Sequence, residues 1–234
     1  MSNLIQLLCA PKSQNAKLGS GLVATTYRPV GDAATGCGTC PSGCMLIPGK
    51  QTSPDEPICY TKGFLVDRQQ QASRNRFDSL DRLLTKGIKL VRLHTSGDFF
   101  CPDGEGGYKL DMPYVETVIA WCFANPDVKV WTYTHDVTLF VQAGLTYNNG
   151  SFPSNLHLLA SVDTLEQRAF AKAHGFKTAR VFSDPSDKVD GETFCPYDLN
   201  VHKGRKGKNN GVTCAKCTLC FNHNHKKDIG FVAQ

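Results

Sequence analysis

Cysteine constrains this chain more than any other residue type: there are 11 in 234 residues, and most fall in two short clusters near opposite ends. The count is odd, and the opening MSNLIQLLCAPKSQ lacks the basic segment and long apolar run of an export signal. Disulfides belong to oxidising compartments, so the expectation is a cytoplasmic protein whose thiols serve metal or redox chemistry. With no stretch of eighteen apolar residues, no transmembrane helix and no membrane partner are expected. A chain of this length that is 41% hydrophobic can bury one substantial core, so residues 1–234 read as a single domain.

The C-terminal cluster is Cys195-Pro196 followed by Cys214-Ala-Lys-Cys217-Thr-Leu-Cys220. Cysteines two residues apart let one turn of backbone aim three sulfurs at one centre, and a Cys-Pro from elsewhere is a usual fourth iron–sulfur ligand. Zinc ribbons pair two C-x2-C knuckles instead, with no place for a third close cysteine. The spacing therefore points to a cluster, 4Fe-4S first, with zinc as the alternative metal. The N-terminal cluster is Cys37-Gly-Thr-Cys40-Pro-Ser-Gly-Cys44, then Cys59. Glycines 36, 38 and 43 would let this loop wrap a metal group so that amides donate to its sulfurs. The ligand candidates are Cys40, Cys44, Cys59, Cys195, Cys214, Cys217 and Cys220. Cys37 is an additional candidate, Cys101 is ambiguous, and Cys9 and Cys122 read as packing or surface thiols.

Three zones follow from composition: a Cys/Gly-rich segment (1–72), a periodic middle (73–184) and a Cys-rich C-terminal segment (185–234). The middle alternates apolar runs with helical stripes. Strands are expected at 88–93, 128–134, 156–162 and 178–182, with a further one at 21–27. Helical patterns run through Phe77, Leu80, Leu83 and Leu84 up to Gly87, and through Val115, Val118, Ile119, Cys122 and Phe123 behind Asp111 and Pro113. A short helix over 137–143 ends at Gly144, and Thr164 to Gln167 form a capping box before another helix that Gly175 closes. Alternating strands and helices give an α/β fold: a partial (β/α) barrel or an open, mostly parallel sheet, flanked by irregular Cys-rich segments.

Chemistry in such folds collects at the carboxyl ends of the strands. Here those ends carry His94-Thr-Ser96-Gly97-Asp98, Tyr133-Thr-His135-Asp136, Asp163 and Ser183-Asp184. Ser96, Gly97, Asp98 and His135 are the candidates for binding a small molecule, with Gly97 permitting close backbone approach. The net charge of +5 includes Lys203, Arg205, Lys206 and Lys208, a tract suited either to solvent or to nucleic acid.

Several stretches together resemble bacteriophage proteins related to the gene product eighty-eight family, and more distantly radical-SAM iron–sulfur proteins. They are Thr39-Cys-Pro with Cys44, Cys59-Tyr-Thr, Ser96-Gly-Asp98, Tyr133-Thr-His135, Leu159 to Asp163, Cys195-Pro196, Thr213 to Cys220 and Ile229-Gly-Phe231. The resemblance implies a β/α fold, cysteine-ligated metal and, for a phage-encoded chain, the host cytoplasm. Where radical-SAM proteins carry C-x3-C-x2-C, this chain has Cys40, Cys44 and then Ile47, so Cys59 would have to complete the set. Two functions follow as expectations. One is an iron–sulfur protein, radical-SAM-like or redox-active, meeting S-adenosylmethionine, another small molecule or an electron donor at the rim. The other is a zinc- or cluster-stabilised module that binds nucleic acid or a host protein without catalysis.

Overall fold

Short apolar runs with polar ends build an open eight-stranded sheet in the computed structural model of the protein, which describes residues 5–36, 38–42, 68–69, 72–202, 211–222 and 224–232. The strands are β1 (Leu8–Ala10), β2 (Ala24–Tyr27), β3 (Leu90–Ser96), β6 (Lys129–Thr134), β7 (Leu156–Val162), β8 (Lys177–Phe182), β9 (Glu192–Phe194) and β10 (Asp228–Val232). Their order is β1-β2-β3-β6-β7-β8-β10-β9. Every neighbouring pair is parallel except β1 with β2. With β1 and β9 at its two edges the sheet does not close on itself, in keeping with the expected mostly parallel α/β architecture. A separate hairpin, β4 (Phe100–Pro102) with β5 (Tyr108–Leu110), follows β3 directly.

Side chains alternate across a strand, and here the two faces are covered by different material. On the front face Val91, Leu93, Val130, Leu158, Ala160 and Val162 form the large core with helix α1 (Met112–Ala124) and helix α2 (Val137–Gln142). Helix α3 (Leu165–Ala173) adds Ala171. Thr164 and Gln167 cap α3 reciprocally, as their spacing predicts, and Gly175 follows it at φ +84°. On the back face Trp131 and Phe221 stack at 4.4 Å between ring centroids, with Leu18 and Val23 beside them. Leu159, Ala179, Cys195 and Ile229 continue that layer.

Three expectations change. The helix through Phe77 is a 3-10 helix confined to Leu80–Gly87, and Phe77 itself is half exposed in an isolated bridge to Leu7. On α1 the buried stripe is Tyr114, Val115, Val118, Trp121 and Cys122, whereas Phe123 is 60% exposed. One residue beyond Cys122 is a turn of about 100°, which carries Phe123 off the packed face. The terminal zones are also not wholly irregular, because besides the expected β2 they supply β1, β9 and β10. Strand β10 lies between β8 and β9 through a buried ion network. Asp228, almost fully buried, accepts from Arg168 (2.7 Å), Lys172 (3.1 Å) and the Thr178 amide (3.1 Å), and Glu192 takes Arg180 at 3.0 Å.

Candidate thiolate metal centre and the carboxyl edge

The C-terminal segment returns over the back face, where Cys195, Cys214, Cys217 and Cys220 line one small cavity. Cys195 donates its amide to the Gly230 carbonyl at 2.7 Å, which fixes it at the edge of β10. Helix α4 (Pro196–His202) starts immediately after it. The single turn α5 (Cys214–Cys217) is held from its N-terminal side, where the Cys214 and Ala215 amides donate to the Lys17 and Leu18 carbonyls. Thr218 then adopts a left-handed conformation at φ 61°, which reverses the chain so that Cys220 faces the sheet. The result is a small cavity of about 20 Å³ lined by Cys195, Cys214, Cys217 and Cys220 together with Thr213 and Ile229.

Burial pushes the Cys195 thiol up to about 12 and those of Cys214 and Cys220 to about 11. Cations stand around them and work in the other direction: Lys17 on Cys195 and Cys214, Arg92 on Cys214, and Lys177 on Cys220. The Tyr133 hydroxyl also donates to Cys220 Sγ at 3.2 Å. Lys17 reaches the site from the first zone, anchored by Asp198 at 2.8 Å. Thr213 Oγ1 is buried against the same cavity without a hydrogen-bond partner among the described residues. A donor set of four soft thiols, a cationic surround and an orphaned hydroxyl suit a thiolate-bound metal, whose charge would deprotonate the sulfurs. The four thiols share a lining without converging. Among the described residues no three His, Cys, Asp or Glu side chains are arranged to hold a metal ion.

The carboxyl edge is organised by contacts with the first zone. Gly97 has φ +80°, and a Cβ there would lie 2.6 Å from Thr39 Oγ1 and 2.7 Å from the Arg28 carbonyl. The close approach expected of Gly97 is therefore made to the protein's own chain. Ser96 donates to the Arg28 carbonyl (3.1 Å), the Asp98 amide donates to Thr39 Oγ1 (2.9 Å), and Arg28 donates to the Asp98 carbonyl (2.9 Å). The buried Asp98 carboxylate accepts from the amides of Phe99 and His135, at 2.8 and 3.0 Å, and lies 3.3 Å from His135 Nδ1. Burial lowers the His135 pKa, but the hydrogen bond and charge of Asp98 outweigh it and the net shift is upward. Ser96, Gly97, Asp98 and His135 thus come together, and of these His135 is the part-exposed side chain, at 31%. His94, by contrast, is buried, with its ring 2.8 Å from the Tyr114 hydroxyl and 3.2 Å from Thr132. Burial and the nearby Arg28 and Arg92 hold it well below the usual histidine range, so it is a neutral packing residue.

Cys40 lies beside this rim rather than near the C-terminal thiols in the fold. Its amide donates to Gly31 (3.0 Å), its carbonyl accepts from Ala33 (2.8 Å), and Thr39 accepts from the Phe100 amide (3.2 Å). Gly38 matters here for a backbone contact, since a Cβ would meet the Gly31 nitrogen at 2.2 Å. Cys101 is on β4, and Cys9 and Cys122 are buried apart from both groups. Cys37, Cys44 and Cys59 lie outside the described residues, as do Lys203, Arg205, Lys206 and Lys208. Sequence reasoning did not anticipate Lys17, Arg92, Tyr133 and Lys177 around the thiols. No local pattern marks them, because each reaches the centre from a distant strand or loop.

Comparison with known proteins places the chain in a family. The profile described as "Gene product 88" matches residues 8–223. The chain is 29% identical over 146 residues to the "Gene 88 protein" of Mycobacterium phage L5 and 30% identical over 145 residues to that of Mycobacterium phage D29. Each alignment covers 58% of this chain and 52% of the relative, so the chain spans about half the length of these relatives. No solved structure matches. Among the described residues, no helix is long and apolar enough to cross a membrane.

Proposed function

The chain belongs to the Gene product 88 family, and from that premise we propose that it is a metal–thiolate protein in which Cys195, Cys214, Cys217 and Cys220 hold an iron–sulfur cluster. The observation that carries this reading is the shared cavity: thiols from two separate stretches of the sequence line one space on the back of the sheet. Four ligands would close the site. The centre would then fasten α5 and its flanking loop to Trp131, Tyr133 and Leu159, giving folding energy to a segment with little regular structure. Thiolate sites of this kind contribute on the order of 10 kcal/mol. A cluster, when bound, would also supply one-electron chemistry. This chain's own contribution is to balance charge with Lys17, Arg92 and Lys177 and to donate a hydrogen bond from Tyr133 to one sulfur.

One observation favours zinc as a second reading. A cavity of about 20 Å³ has room for one ion, since a single water needs about 10–15 Å³ on a comparable measure. The C-x2-C-x2-C spacing favours the cluster, and the volume favours the ion. At the rim we assign no cofactor. Ser96 and Asp98 bind Arg28, Thr39 and His135 instead, so S-adenosylmethionine finds its support only in the family resemblance. Anaerobic purification followed by iron, sulfide and zinc analysis tests the reading. Iron with equimolar sulfide supports the cluster, and zinc without sulfide supports the second reading. A chain with neither metal contradicts both.

A further inference from the structure

A second cavity, of about 270 Å³, opens on the back face next to the thiols. Its walls come from the amino ends of β7, β8 and β10 and from the C-terminal segment, so it lies at the opposite edge of the sheet from Asp98 and His135. Among the described residues three lysines line it, Lys172, Lys177 and Lys226, with His157 and His225, and Asp228 is the one carboxylate. That carboxylate is already matched by Arg168 and Lys172. Lys177 Nζ donates to the Leu219 carbonyl at 2.6 Å and the His225 carbonyl at 3.3 Å, and an ammonium group has a third N–H to give. Lys226 is exposed at the mouth. His225 Nε2 is buried and has no hydrogen-bond partner among the described residues.

Buried polar nitrogen is costly when unsatisfied, and two ammonium groups facing one space repel each other unless an anion joins them. We propose that this cavity binds a small molecule bearing a phosphomonoester, held by Lys177, Lys226 and His225. A phosphate near pH 7 carries about −1.5 to −2 charges and three strong acceptors, which suits Lys226 and Lys177, the latter shared with the Cys220 sulfur, once Lys172 has paired with Asp228. The volume is just under the usual range for drug-sized sites, which fits a compact metabolite. Cys220 lines this cavity as well as the thiolate one, so the ligand would rest against the metal centre. The inference does not depend on metal being bound there.

Calorimetric titration of the full chain with inorganic phosphate, at constant ionic strength, tests it. Saturable one-to-one binding is expected, with acetate at least about tenfold weaker because it brings one charge and two acceptors. Lys177→Met should weaken phosphate about tenfold or more, the loss of one charge-assisted hydrogen bond. Because Lys177 also secures two carbonyls of the C-terminal segment, Lys226→Ala and His225→Phe are the controls. Each should weaken binding about threefold or more without lowering the melting temperature of the ligand-free chain. Absence of saturable heat, acetate binding as tight as phosphate, or indifference to Lys226→Ala and His225→Phe would each overturn the assignment.

Discussion

At the C-terminal end of the chain, Cys195, Cys214, Cys217 and Cys220 lie against the middle of the sheet, with Tyr133 on one sulfur and three cations nearby. At the N-terminal end, Cys40 is tied by its backbone to Gly31 and Ala33, and the neighbouring Thr39 meets Asp98 at the carboxyl edge. The C-terminal thiols and Cys40 therefore sit in different settings on one fold. The first forms a layer, filling the space that helices would fill on the back of a doubly covered sheet. The second belongs to the edge where α/β proteins usually place their ligands. A layer built of thiols needs something to hold it, whereas the rim is already held by backbone hydrogen bonds. That difference is why the proposed metal is placed at the C-terminal group.

Substitutions should separate the two settings. The largest effect is expected from Cys217→Ser combined with Cys220→Ser. This pair should abolish metal at the C-terminal centre and lower stability by several kcal/mol, up to about 10. Cys40→Ser should leave that metal bound, and metal content per chain compares them directly. Loss of the same metal in Cys40→Ser would merge the two groups into one centre. Next comes Trp131→Ala, which removes the partner of Phe221 and should cost about 3–5 kcal/mol in a denaturant titration. Gly97→Ala acts on the rim instead. Its Cβ would press on Thr39 and Arg28 at a positive φ, for a cost of about 1–3 kcal/mol and no change in metal content.

The smallest effect is one of pH. Asp98 raises the His135 pKa above its unfolded value, so the stability from this pair is complete below about pH 6.5 and is lost as pH climbs through the folded value. His94 has the opposite sign. Held well below the ordinary range, it stays neutral while the unfolded chain takes up a proton, so stability falls below about pH 6.5. His135→Gln should therefore be most costly on the acid side and progressively milder above it. Urea midpoints across that range measure the trend, and a penalty that grows with pH would reverse the assigned sign.

The sequence was readable where the structure is local. The strands over 156–162 and 178–182, the α3 capping box and the glycine stop after it depend on residues within a few positions of one another, and their bounds agree with the fold to within a residue. β9 and β10 were not readable. They are three and five residues long, and β10 is placed by Arg168 and Lys172 from α3 gripping Asp228. The same division applies to the site. Spacing grouped Cys214, Cys217 and Cys220 and pointed to Cys195, because a turn of backbone fixes their separation. The polar ends of β3 and β6 were also visible, but not their occupation by Arg28 and Thr39, which depends on how the first zone folds back.

X-ray absorption at the edge of the bound metal examines the four-thiolate centre most directly. The account predicts a shell of four sulfurs from the protein or cluster near about 2.3 Å, lost in the Cys217→Ser, Cys220→Ser pair and kept in Cys40→Ser. A shell of nitrogen or oxygen, or a spectrum unchanged by the paired substitution, would contradict it.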